Sequence, residues 1–188
     1  MWVSVEIAAG TLLVATPQLL DPNFADSVVL ILDTDDDGAL GIVLNRPSAV
    51  AVADVLPGWR DTVSDPDVVF HGGPVSPEGA LAVGLLRDPE VPPDGFRPVS
   101  GPLGIVDLDA TSDDVPLRLE AMRIFAGYAG WGAGQLEGEV SEGSWYVVSS
   151  ESGDPFRLDP SDLWRDVLRR QPGQLAWHTT RPLDPELN

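Results

Sequence analysis

Ser27–Leu44 reads SVVLIL-DTDDDG-ALGIVL, and this stretch decides the fold class. Two apolar runs rich in Val, Ile and Leu, Ser27 to Leu32 and Ala39 to Leu44, are the length of strands. The polar segment between them, Asp33 to Gly38, ends in Asp-Gly, a strong hairpin signal. Gly41, inside the returning run, predicts a bulge or a close backbone approach. Upstream, Gly10 to Thr16 is a further strand ended by Pro17, and Asp21-Pro22-Asn23 is a turn.

Downstream, Val52 to Leu56 predicts one turn of helix, and strands are expected at Val68–Phe70, Ala80–Leu86 and Leu103–Leu108. Arg87 to Pro98 carries four Pro and reads as an exposed loop. Ser112 or Asp114 would cap a helix that tolerates Pro116 in its first turn and runs through Leu119 and Glu120. Met122 to Tyr128 fits a strand or a helix by pattern; Gly127 and Gly130 favour the strand. A short helix is expected at Gln135–Val140 and a strand at Trp145–Ser149. Asp159-Pro160-Ser161-Asp162 has the marks of a helix start, with Leu163, Trp164, Val167 and Leu168 as its apolar face and Arg169 and Arg170 at its C-terminal end. Leu175 to His178 would add a last strand. Strands come first and in succession, with no βαβ alternation and no repeat or linker. The expectation is one α+β domain over residues 1–188 with a largely antiparallel sheet.

The chain has 188 residues, 43% of them hydrophobic, enough for a real core. Its formal charge is -19, from 30 acids against 11 bases, and every base is Arg. Without Lys there is no Walker A lysine, Schiff-base lysine or Ser-x-x-Lys dyad. Without Cys there is no thiol nucleophile or Cys-ligated zinc. The two His, His71 and His178, do not form a His-Glu-x-x-His site. So acidic a surface repels nucleic acid and anionic membrane, so neither is expected as a partner. There is no apolar run of about 18 residues and no basic n-region near Met1, which predicts a cytoplasmic location.

Asp33-x-Asp35-x-Asp37-Gly38 resembles the first half of a calcium loop, but the twelfth position, where a bidentate Glu belongs, is Leu44. An acidic hairpin turn is expected instead, and no metal site. In Gly127–Gly138 (GYAGWGAGQLEG) the position needed to complete G-x-G-x-x-G from Gly132 is Glu137, so no dinucleotide cradle and no cofactor are expected. Ser76 lacks a nucleophile-elbow setting, and His71 reads as a half-buried strand-end residue. Arg46, at a strand end between Asn45 and Pro47, reads as a structural clamp on carbonyls or a carboxylate, or as a ligand anchor.

Several segments in this order resemble the YqgE/AlgH family of bacterial proteins. They are Gly10–Pro17, Asp21–Phe24, Ser27-Val28-Val29, Gly38–Gly41 running to Leu44–Pro47, Gly72-Gly73-Pro74-Val75, the Gly127–Gly132 and Gly134–Glu137 block with Glu139, and Ser144-Trp145. The resemblance covers nearly the whole chain. It implies a compact α+β arrangement with a partly barrel-like sheet and surrounding helices. It brings no settled activity and no catalytic residues, and its label of transcriptional regulator conflicts with the acidic charge and the lack of a helix-turn-helix.

Two functional expectations follow. The first is a non-enzymatic regulatory domain that binds a small ligand or a protein partner through Asn45, Arg46, His71, Gly72, Gly73, Trp131, Gln135 and Glu137. The second is a hydrolase-type enzyme using an acid or His71, with Arg46 as an electrophilic stabiliser. The three motifs Asn45–Pro47, His71–Pro74 and Gly127–Glu137 are expected to meet in the fold. Arg46 should then be largely buried, paired with Glu137 or Glu139 or held by carbonyls.

Overall fold

The computed structural model describes residues 5–109, 113–173 and 175–176. Ten strands and four short α-helices follow in the order β1 Thr11–Ala15, β2 Val28–Asp35, β3 Gly38–Val43, β4 Pro47–Ala51, α1 Val52–Val55, β5 Val68–His71, β6 Val75–Leu86, β7 Phe96–Ser100, β8 Leu103–Val106, α2 Asp114–Arg118, β9 Leu119–Gly132, α3 Gln135–Ser141, β10 Trp145–Ser149 and α4 Leu163–Arg169. The main path through the sheet is β10-β1-β2-β3-β9-β6-β8-β7, antiparallel at every step. The parallel exception is β5 against β9, with β4 pairing β5. The fold is thus α+β with a mostly antiparallel sheet curled into a half-barrel.

The hairpin at Asp33–Gly38 forms as its sequence requires. Asp35 Oδ1 accepts the Asp37 and Gly38 amides, and β3 returns beside β2. Period-2 alternation then separates the faces. Leu12, Val14, Leu30, Ile42 and Val83 point into the curl of the sheet, whereas Leu13, Val29, Ile31 and Val43 pack outward against α3. At Gly41 a Cβ would lie 2.7 Å from Val29 Cγ1, so the strands approach where only hydrogen fits. The curl is closed by α4, whose Leu163, Val167 and Leu168 are fully buried. A seven-residue helix is unstable alone; burial worth about 1.5–3 kcal/mol per such side chain holds it.

Four expectations change. Phe96 to Pro98, read as loop, belong to β7, an edge strand where Pro98 faces Gly104 and tolerates its missing donor. Leu119 and Glu120 leave the helix and begin β9, since pairing Leu119 with Leu86 outweighs local helix propensity. Asp159 caps no helix: its carboxylate accepts the Ser161 amide in a turn, and α4 begins at Leu163. Leu175 and Ala176 lie in a helical turn, not a strand; the rest of that expected strand, with His178 and the candidate cap Ser112, lies outside the described residues.

β9 is the spine, and it changes both partner and face at Gly127. Before it, Met122, Ile124 and Ala126 face one outer cluster while Phe125 faces the interior. After it, Tyr128 faces the interior and Ala129 and Trp131 face the other outer cluster, so the phase has slipped by one residue. Gly127 has φ +71, and a Cβ there would sit 2.5 Å from Gly73 O. A left-handed residue inside a strand makes such a slip, and glycine pays least for it.

Candidate functional site

The strand ends meet at this slip. The His71 amide donates to Arg46 O, the Gly72 amide to Ala126 O, and the Val43 amide to Gly72 O. Gly72 therefore sits between β3 and β9, and a Cβ on it would lie 2.3 Å from Gly127 O. Asn45–Pro47, His71–Gly73 and the start of the Gly127 block are one backbone junction. The remainder of that block lies further along β9, where Trp131 pairs Ala39.

Arg46 is half-buried and held by carbonyls. Its Nη1 donates to Pro22 O and Asn23 O at 3.0 and 2.6 Å, and its Nη2 to Ala25 O at 2.9 Å. Asn45 completes the clamp: its Oδ1 accepts the Val28 amide and its Nδ2 donates to Asp26 O. The expected first partners, Glu137 and Glu139, are engaged elsewhere or exposed. Glu139 Oε2 accepts both indole N–H groups, from Trp131 at 3.0 Å and Trp145 at 2.8 Å, while Oε1 accepts Gln135 Nε2. Gln135 Oε1 in turn accepts the Gly132 amide. Glu137 is exposed on α3. Phe24, on the loop that Arg46 grips, packs against both indoles. The junction and the tryptophan corner are thereby joined through the Pro22–Ala25 loop rather than by an ion pair. Trp131 is only 6% exposed, so it builds a wall and offers no flat apolar patch.

A half-open groove of about 490 Å³ opens beside His71. Val69, Ile124 and Ala126 form its floor, and Val50 and Val55, 45% and 52% exposed, stand on one side. The protruding Pro77–Ala80 part of β6 makes the other, where the pairing with β9 is interrupted between Val75 and Ala80. Its polar groups are Ser48, His71 and Glu78. Of the predicted site residues, His71 alone lines the groove; Arg46, Gly72 and Gly73 shape the backbone behind it. His71 is exposed rather than half-buried. Among the described residues no acid is hydrogen-bonded to its ring.

Sequence reasoning missed Arg123, the most buried cation among the described residues, at 1% exposure. Its Nη1 donates to Pro155 O and Arg157 O, both at 2.9 Å, and its Nη2 to Asp65 O at 2.6 Å. The guanidinium carbon lies 4.2 Å from the Phe70 ring centroid, a cation–π distance, and Nε has no hydrogen-bond partner. Burial lowers its pKa to about 10, with the charge of Asp65 acting against that shift. The available signal was a single charge inside the apolar run Met122–Tyr128.

Two carboxylates of the acidic hairpin are engaged: Asp35 caps the turn, and Asp33 pairs with Arg97 of β7 at 3.1 Å. Among the described residues no group of three or more His, Asp or Glu is placed to hold a metal ion, and no helix is long and apolar enough to cross a membrane.

These features define a class: a curled, mostly antiparallel α+β half-barrel with a glycine junction at its centre and a groove beside it. A family model described as AlgH-like matches residues 12–176, and the chain belongs to that family. It is 53% identical over 187 residues to a UPF0301 protein of Streptomyces avermitilis, covering 98% of this chain and 97% of that one. Over 185 residues it is 46% identical to a UPF0301 protein of Mycobacterium tuberculosis, covering 97% and 91%. A crystal structure from Corynebacterium diphtheriae superposes with a TM-score of 0.89 at 33% identity, covering 95% of this chain and 94% of that one. The solution structure of AlgH from Pseudomonas aeruginosa gives a TM-score of 0.67 at 28% identity, with 97% and 98% covered.

Proposed function

We propose that this chain is a cytoplasmic, non-enzymatic regulatory domain that binds a small organic ligand in the groove beside His71. The observation that carries this is the groove itself. Its volume of about 490 Å³ falls in the range of ligand pockets, and its lining is apolar with a few polar groups at the rim. Arg46 does not favour the hydrolase reading, because both of its terminal nitrogens are committed to loop carbonyls. Asn45, Gly72 and Gly73 act behind the groove as scaffold, while Trp131 and Gln135 build the tryptophan corner further along β9 and Glu137 is exposed on α3. With a net charge of -19, regulation would run through a ligand and a protein partner rather than through direct contact with DNA.

A thermal-shift screen of the full chain against a metabolite library tests this. A ligand at 100 times its Kd stabilises by about 2.7 kcal/mol. Val55→Asp, an exposed change in the groove wall, should abolish the shift while leaving the unliganded melting temperature unchanged. A hit whose shift survives Val55→Asp would place binding elsewhere.

A further inference from the structure

We infer that the groove selects a small amphipathic amine, its apolar tail against Val50, Val55 and Ile124 and its ammonium group at Glu78. This rests on the groove being a ligand site. The lining holds one formal charge, Glu78, exposed at the rim on the protruding part of β6, and no Arg is among the lining side chains. The two arginines nearest in the chain to lining residues are withdrawn. Arg46 precedes β4 but grips the Pro22–Ala25 carbonyls, and Arg123, beside Ile124 on β9, points to the opposite face and is held by Asp65, Pro155 and Arg157 carbonyls. Ser48 and His71 add further hydrogen-bonding capacity at the same rim. A carboxylate or phosphate ligand would find no fixed cation there, and the field of a chain with 30 acids against 11 bases would oppose its approach. The same field raises the local concentration of a cation, and the valine-lined walls take an alkyl body without leaving a polar group unpaired.

Three probes with one tail separate the terms: n-hexylamine, n-hexanol and hexanoate, titrated into the full chain and followed by backbone amide chemical shifts. The expected result is saturable shifts at Val50, Val55, Leu56 and Val69 in the affinity order amine, alcohol, carboxylate. Glu78→Gln should weaken the amine about threefold, toward the alcohol, since an exposed ion pair contributes only that much. It should leave the alcohol unchanged. Alcohol and carboxylate binding as tightly as the amine, or an amine affinity indifferent to Glu78→Gln, overturns the amine selectivity while the groove remains a ligand site. If none of the three probes shifts the groove amides, both readings fall.

Discussion

Arg46 and Arg123 perform the same task in two regions and teach different lessons. Each spreads its guanidinium over three backbone carbonyls and hydrogen-bonds no carboxylate, in a chain that carries 30 acids. A carbonyl fork ties down a loop without stripping water from a second ion. Arg46 does this half-exposed, fixing the Pro22–Ala25 loop that presents Phe24 to the tryptophan corner. Arg123 does it inside the molecule, joining β9 to the Asp65 and Pro155–Arg157 segments beneath Phe70. The difference teaches that bond number is a poor guide to energy. Water can replace a lost donor at Arg46, and at Arg123 it has little access.

That contrast is broken or sharpened by substitution. Arg123→Ala should show the largest effect, about 3–5 kcal/mol, from a cavity plus orphaned carbonyls. Arg123→Lys, which keeps charge but cannot span both segments, should recover only part of this. Urea unfolding midpoints at constant m-value are the measurement. A loss below 1 kcal/mol for Arg123→Ala would show that depth does not matter here.

Glu139→Ala comes next, at about 2 kcal/mol, because two partly buried indole N–H groups lose their acceptor together. Tryptophan emission should shift to the red as the corner admits water. An unchanged spectrum would mean that packing alone holds the corner.

Arg46→Ala should cost about 1–2 kcal/mol, less than Arg123→Ala, because the freed carbonyls can hydrate. The damage should be local, with hydrogen exchange accelerating at Phe24, Ala25 and Val28 while β9 stays protected. Equal or greater loss than for Arg123→Ala would reverse the ranking of the two clamps. Smallest of all is the response to calcium. Millimolar calcium should leave the melting temperature unchanged, since Asp33 and Asp35 are already engaged. A saturable rise at micromolar calcium, lost in Asp35→Asn, would contradict this.

Much of the strand pattern could be read directly. β1, β2, β3 and β5 are apolar runs with Pro, Gly or Asp at or near one or both ends, β10 is an apolar run between serines, and such local signals survive because the sheet buries both faces. Legibility ended where long-range pairing overrode local preference. β7 contains Pro98 and looks like loop until β8 lies beside it, and Leu119-Glu120 looks helical until Leu86 pairs with it. The site was legible only in part. The glycines of the GGP and GYAGWG segments signalled close approach, and Arg46 signalled a clamp. The groove was not legible, because Val50 and Val55, Glu78, and Ile124 come from three separate segments that carry no shared motif.

By itself, then, the sequence determined the hairpin around Asp33–Gly38, the α+β class and the exclusion of lysine and cysteine chemistry. Turn residues, alternation and missing side-chain types act locally, and need no knowledge of the rest of the chain. Only the tertiary structure decided that Gly127 slips the phase of β9, that Glu139 serves two tryptophans rather than Arg46, and that Arg123 is buried on carbonyls. Each of these depends on which backbone arrives opposite a given side chain. That is set by the closure of the sheet over distances of tens of residues, where hydrogen-bond geometry and desolvation choose among partners that the sequence leaves equivalent.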